Sequence, residues 1–177
     1  ADPAVLTMAQ DRYEAGSTVL FDGAPVTDLF LAGNRVTVAA PVAGSAHLAG
    51  RRVTVASPVA GDLFALGYSV EVPAAVGGDA TVSGYELTLG PVAGNLRAAG
   101  SEVTVGSVGG YALVTGEDIT LSGPITGDMV ILAGDIIFGP AAKVTGNLTI
   151  YAEDPSGIEV PETVAPKARV TLKAVER

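Results

Sequence analysis

The feature that most constrains this chain is internal repetition. A glycine-punctuated unit of 16 to 19 residues recurs in tandem about seven times. A unit that short cannot bury a face on its own, so each copy must stack on its neighbours. The copies run from Asp28 to Gly44, Ser45 to Gly61, Asp62 to Gly78, Asp79 to Gly94, Asn95 to Gly110, Tyr111 to Gly127 and Asp128 to Gly146, and an eighth starts at Asn147 and decays.

Aligning the copies produces columns of apolar residues. One runs Val36, Val53, Val70, Leu87, Val103, Ile119, Ile136, and a second, two residues later, runs from Val38 to Phe138. Between them stand Thr37, Thr54, Glu71, Thr88, Thr104, Thr120 and Ile137, which is the in-out-in alternation of a half-buried strand. A second face pairs the column from Leu29 to Met129 with that from Leu31 to Ile131. A third, shorter contact is the column Val42, Val59, Val76, Val92, Val108, Ile125, Val144. Three inward faces per copy describe a triangular coil.

Glycines mark its corners from Gly33 to Gly134 and from Gly44 to Gly146, where positive φ is the expected reason for them. Pro41, Pro58, Pro91 and Pro124 stand just before the third face, where a lost N–H is tolerated. Gly or Pro interrupts every window long enough for a stable helix. The expected fold is therefore all-β: a single-stranded, three-sided (triangular) β-helix, a solenoid of about seven coils with almost no helix. Seven coils at the ~4.8 Å sheet spacing make a prism on the order of 34 Å long. The repeat pattern itself is compatible with either hand.

The repeat domain is expected over residues 18–150, with an N-terminal extension or cap over 1–17 and a distorted terminal coil and cap over 151–177. Open ends would template further strand pairing unless covered, which puts the functional question at the two ends. The start at Ala1-Asp2-Pro3, without methionine, fits a processed end or an excised domain, and membrane helices following Arg177 in a longer precursor fit the same picture.

Composition narrows the function. The net charge of −9 opposes nucleic-acid binding. With no cysteine, thiolate metal sites, disulfides and cysteine nucleophiles are excluded. No apolar run approaches the ~18 residues of a membrane-spanning helix. Phosphate-binding glycine loops, nucleophile elbows and zinc-protease helices are missing, and carboxylate neighbours such as Glu117 with Asp118 or Glu153 with Asp154 read as solvated turn acids. No enzyme activity, cofactor or metal is expected.

Two surface features stand out. Phe30, His47 and Phe64 form an aromatic strip on an outward column, either packed beneath the N-terminal segment or offered as a contact surface. Before the valine column the corner reads Arg35, Arg51, Arg52, then Ser69, Glu86, Glu102, Glu117, Asp118 and Asp135, so charge passes from basic to acidic along the axis. This gradient either biases the direction of association between molecules or is local drift of charge on a solvated corner.

The repeated pattern of Gly-Asp-Leu, then Gly, then Val-Thr-Val, then Pro-Val-x-Gly, over Thr18 to Ile150, resembles the bactofilins, a bacterial polymer-forming cytoskeletal family. The resemblance implies a right-handed triangular β-helix, self-assembly through the coil ends, and a structural role at the membrane or cell envelope. No active site is carried over. The start of the chain and its proline-rich C-terminal segment depart from a cytoplasmic bactofilin and look more like extracytoplasmic bactofilin-like domains attached to membrane segments. The implied location is periplasmic or otherwise extracytoplasmic and membrane-associated, the alternative being cytoplasmic and membrane-associated. The implied partners are the chain itself and a membrane-anchored or envelope protein. The alternative to a polymer-forming scaffold is a non-polymerising binding or spacer module of a membrane-anchored protein.

Overall fold

The computed structural model describes residues 2–23 and 26–176. Its strands are β1 (Ala4–Met8), β2 (Asp11–Phe21), β3 (Leu29–Val38), β4 (Ala46–Val55), β5 (Leu63–Val72), β6 (Ala80–Leu89), β7 (Leu96–Ala99), β8 (Glu102–Val105), β9 (Ala112–Leu121), β10 (Pro124–Ile125), β11 (Met129–Phe138), β12 (Lys143–Val144), β13 (Leu148–Ala152) and β14 (Val170–Ala174). The helical elements among the described residues are two three-residue 3-10 turns, Pro155–Gly157 and Lys167–Arg169.

From β2 to β11 every coil lies parallel and in register on the next, giving a β-solenoid of about eight turns. Leu29 pairs with Ala46, Ala46 with Leu63, and Leu63 with Ala80, so each repeat position becomes an axial column. The third face is held by single-residue bridges linking Val42, Val59, Val76, Val92, Val108 and Ile125, and then by β10 against β12.

The core is the interior of these columns. Val36, Val53, Val70, Leu87, Val103 and Ile119 are all buried, as are Val42 to Val144 on the third face. Each such Val or Leu contributes about 1.5–3 kcal/mol on leaving water. The last members of two expected inward columns, Ile136 and Phe138, are only partly buried. The reason is positional: β13 continues the stack over Met129–Leu132 only. Ile158 and Val160 from the C-terminal segment are also partly buried against the core.

The two expected boundaries of the repeat domain fall inside coils. Asp11–Phe21 is a full-length strand paired with β3, Arg12 to Leu29 and Phe21 to Val38, so the boundary expected at 17/18 falls inside the first coil. The C-terminal boundary expected at 150/151 falls inside β13.

The corner glycines also need a different explanation, because no described glycine has positive φ. They are required by contact between coils. A methyl on Gly67 would lie 2.5 Å from the carbonyl oxygen of Gly50, and one on Gly50 2.6 Å from that of Gly33. Adjacent backbones approach at the bend more closely than any Cβ permits.

Beside the other corner runs a column of polar side chains. Asp28 Oδ1 accepts from the Ser45 amide at 2.7 Å, Ser45 Oγ from Asp62, Asp62 Oδ1 from Asp79, Asp79 Oδ1 from Asn95, and Asn95 Oδ1 from Tyr111. Asp11 starts the column beneath Asp28, and Asp128 bonds the Asn147 amide beyond the break at Tyr111. Except at Tyr111, the first residue of each copy therefore ties down a backbone N–H at the corner of the next coil.

Both ends of the stack are covered. At the N-terminal end, β1 folds back antiparallel on β2 through a two-residue turn whose Ala9 has φ 53°. Arg12 and Glu14 occupy columns that in β3 hold Leu29 and Leu31. Their side chains pair at 3.2 Å, Glu14 is 7% exposed, and the Arg12 guanidinium lies 5.9 Å from the Phe21 ring centre. At the other end β14 adds parallel to β13, and the segment between them crosses the last coil. It buries Val164 and Ala165, bonds the Val144 amide to the Val164 carbonyl, and sets Arg169 Nη1 on the carbonyls of Val144, Thr145 and Gly146.

Four substitutions, in two pairs, test these contacts by chemical denaturation. Gly67→Ala should cost about 1–3 kcal/mol through overpacking against the Gly50 carbonyl. Gly157→Ala, with nothing within 4 Å of the added methyl, should be near neutral. Asp62→Ala should cost about 1–2 kcal/mol by stranding the Asp79 amide, and Asp62→Asn, which keeps the acceptor, should stay within about 0.5 kcal/mol of the parent.

Candidate interaction surface

The in-register stacking that builds the core also lines up the outward residues. Tyr13, Phe30, His47 and Phe64 stand one above another on β2 to β5. Their rings stack at centroid distances of 4.5, 4.5 and 4.8 Å, tilted by no more than 9°. The strip expected from Phe30, His47 and Phe64 is therefore real and extends one coil further, to Tyr13. Tyr13 was hidden in sequence because its coil carries Arg12 and Glu14 where the repeat is apolar. The signal that could have found it is the spacing of Asp11, Tyr13, Gly16, Val19 and Phe21, each 17 residues before Asp28, Phe30, Gly33, Val36 and Val38.

β1 places Leu6 opposite Tyr13, at the end of the column. The neighbouring outward column reads Ala15, Ala32, Ala49, Leu66, so the two columns and β1 line an open apolar groove of about 810 Å³. The N-terminal end of the strip lies beside β1, which pairs with β2 in the sheet, and Phe64 at the other end is 42% exposed.

The ring orientation limits what this face can hold. The rings spend their faces on one another, so a ligand meets ring edges. A flat sugar stacking on an aromatic face finds none free along the middle of the strip. Beyond Phe64 the column changes to Thr81 and Arg97. Arg97 is turned onto its own coil neighbours, donating to Thr81 Oγ1 and the Tyr111 hydroxyl at 3.1 Å each.

The charged corner lies next to this face. Thr18, Arg35, Arg52, Ser69, Glu86, Glu102, Asp118 and Asp135 form one continuous column across eight coils. One residue earlier in each coil stand Arg51, Tyr68 and Tyr85, and the two tyrosine rings stack at 5.0 Å. They are 55% and 44% exposed at mid-length, between the basic and acidic stretches. Among the described residues the ion pairs are Arg12 with Glu14 and Arg97 with Asp79, so none among the described residues involves Arg35, Arg52, Glu86, Glu102, Asp118 or Asp135.

The carboxylates considered from sequence fall elsewhere. Glu117, Asp135, Glu153 and Asp154 line a small cleft of about 260 Å³ at the C-terminal end. Among the described residues no group of three His, Asp or Glu side chains is placed to hold a metal ion.

No family model, curated protein or solved structure matches this chain.

The stack predicts a specific sensitivity at its centre. His47→Ser should lower stability by about 1–2 kcal/mol through loss of two ring contacts, and His47→Phe should preserve or raise it. Equal losses in both variants, read as denaturation midpoints, would show that the stacking contributes nothing.

Proposed function

We propose that this chain is a non-catalytic β-solenoid scaffold with closed ends, a rigid spacer or binding module that recruits partners through its side walls. The single observation that carries this reading is the cover at both ends. A solenoid that grows by end-to-end stacking needs bare, apolar terminal coils. Here the first coil carries an inward ion pair and an antiparallel strand, and the last is crossed by a bonded segment. Inward charge and edge covering are the devices by which sheet proteins block unwanted pairing.

The resemblance to bactofilins favours a second reading, polymerisation through the ends with a structural role at the cell envelope, and it rests on the repeat pattern. The two readings share a scaffold role and an extracytoplasmic, membrane-associated setting. They differ in whether the ends are available.

The test is electron microscopy with light scattering at high concentration. The intact chain should show no particle longer than one solenoid. A variant lacking residues 1–10 and carrying Arg12→Leu and Glu14→Leu should form particles two solenoids long, joined through the first coil, because both devices at that end are removed while the C-terminal cover remains. Filaments from the intact chain would overturn the closed-end reading in favour of end-to-end polymerisation.

A further inference from the structure

The charged corner has a symmetry property that a single chain does not use. Numbering coils from β2, the column carries Arg35 and Arg52 in the second and third coils, Ser69 and Glu86 in the fourth and fifth, and Glu102 and Asp118 in the sixth and seventh. Place a second copy antiparallel beside the first, with a two-fold axis across the corner between the fourth and fifth coils. Arg52 then faces Glu102 of the other copy, Arg35 faces Asp118, and Ser69 faces Glu86, and symmetry repeats each pair. A two-fold contact must be self-complementary in this way.

We infer that this corner and the adjoining apolar face are an antiparallel, side-by-side interface between two copies of this chain. Charge complementarity selects the occupant. Two copies at a net charge of −9 each repel as wholes, so association requires local pairing of this kind, and a parallel pair of copies would set arginine on arginine and carboxylate on carboxylate. The axis passes between Tyr68 and Tyr85, exposed and stacked, which puts aromatic side chains at the centre of the contact and charges outside it, the usual anatomy of an interface.

The adjoining columns fit the same operation. Exposed Leu66 meets Ser83, and exposed Leu132 meets Ala15, so large side chains oppose small ones. In the aromatic column Phe64 meets Thr81 and Phe30 meets Leu113, an apolar pair, while His47 meets Arg97, which is already held on Thr81 and Tyr111. A strip eight coils long and four to five residues wide is about 38 Å by 15 Å, or roughly 600 Å² per copy. That is at the low end for a specific contact, so the dimer is weak and concentration-dependent. It uses the side of the solenoid and is independent of whether the ends are open.

Two measurements test it on the full chain. In sedimentation equilibrium, Arg52→Glu should weaken dimerisation at least tenfold, and Arg52→Glu combined with Glu102→Arg should restore it to within about threefold of the parent. Because the chain has no cysteine, single cysteines report the arrangement. Ser69→Cys lies one coil, ~5 Å along the axis, from its mate and should be joined by a short bis-maleimide, whereas Thr18→Cys lies seven coils away, on the order of 34 Å, and should not. A parent chain that stays monomeric at every concentration, a charge swap that fails to restore association, or cross-linking through Cys at position 18 would each overturn the inference.

Discussion

Everything in this structure depends on one constraint: each coil lies parallel and in register on the previous one, so that residue identity is carried along the axis in columns. Parallel pairing between coils satisfies the backbone along the two long faces, and the Val42 to Ile125 bridges do so on the third. The corners are where such a ladder is hardest to close, because the chain must bend while its amides remain in reach of the neighbouring coil. Two devices solve this. Glycine removes the Cβ that would strike the carbonyl beneath, as at Gly50 and Gly67. The Asp, Ser and Asn side chains that open every copy but the one at Tyr111 accept the corner amide above them.

The same constraint creates the surface. An aromatic residue recurring once per coil becomes a stack, and a charge that changes from coil to coil becomes a gradient along an edge. It also creates the problem of the ends, since a stack of identical layers has no intrinsic reason to stop. Here it stops where the repeat is broken from inside, by Arg12 and Glu14 in apolar columns, and where a segment turns back across the last coil and is tied down by Arg169.

Much of this was legible in the residues alone. The period-two alternation of Val36-Thr37-Val38 and its repeats named the inward columns and the all-β class. The position of the corner glycines was visible but their purpose was not, because positive φ is the local reason for glycine and contact between coils is invisible until the coils are stacked. Only the second half of the first coil was legible, as an incomplete coil from Ser17, because two charged residues occupy the inward columns of its first half, although Asp11, Tyr13 and Gly16 keep the spacing. The partial exposure of Ile136 and Phe138 was not legible either, since it follows from where β13 ends. Asp28, Ser45 and Asp62 were seen as the first residues of their copies, but a hydrogen bond to the amide of the next copy can only be read once the register is known. Side-chain orientation decides how the aromatic strip reads: the sequence places Phe30, His47 and Phe64 on one outward column, and only the structure shows their rings face to face.

The measurement that tests the central claim most directly is residue-resolved amide hydrogen exchange, which reports whether stacking and closure extend to both ends. Amides of Asp11–Ala15 in the first coil and of Leu148–Ala152 in the last paired strands should exchange nearly as slowly as those of β5 at mid-stack, at a protection level independent of protein concentration. Fast exchange of either terminal strand in the monomer, or protection that appears only as concentration rises, would contradict a solenoid closed at both ends by its own chain.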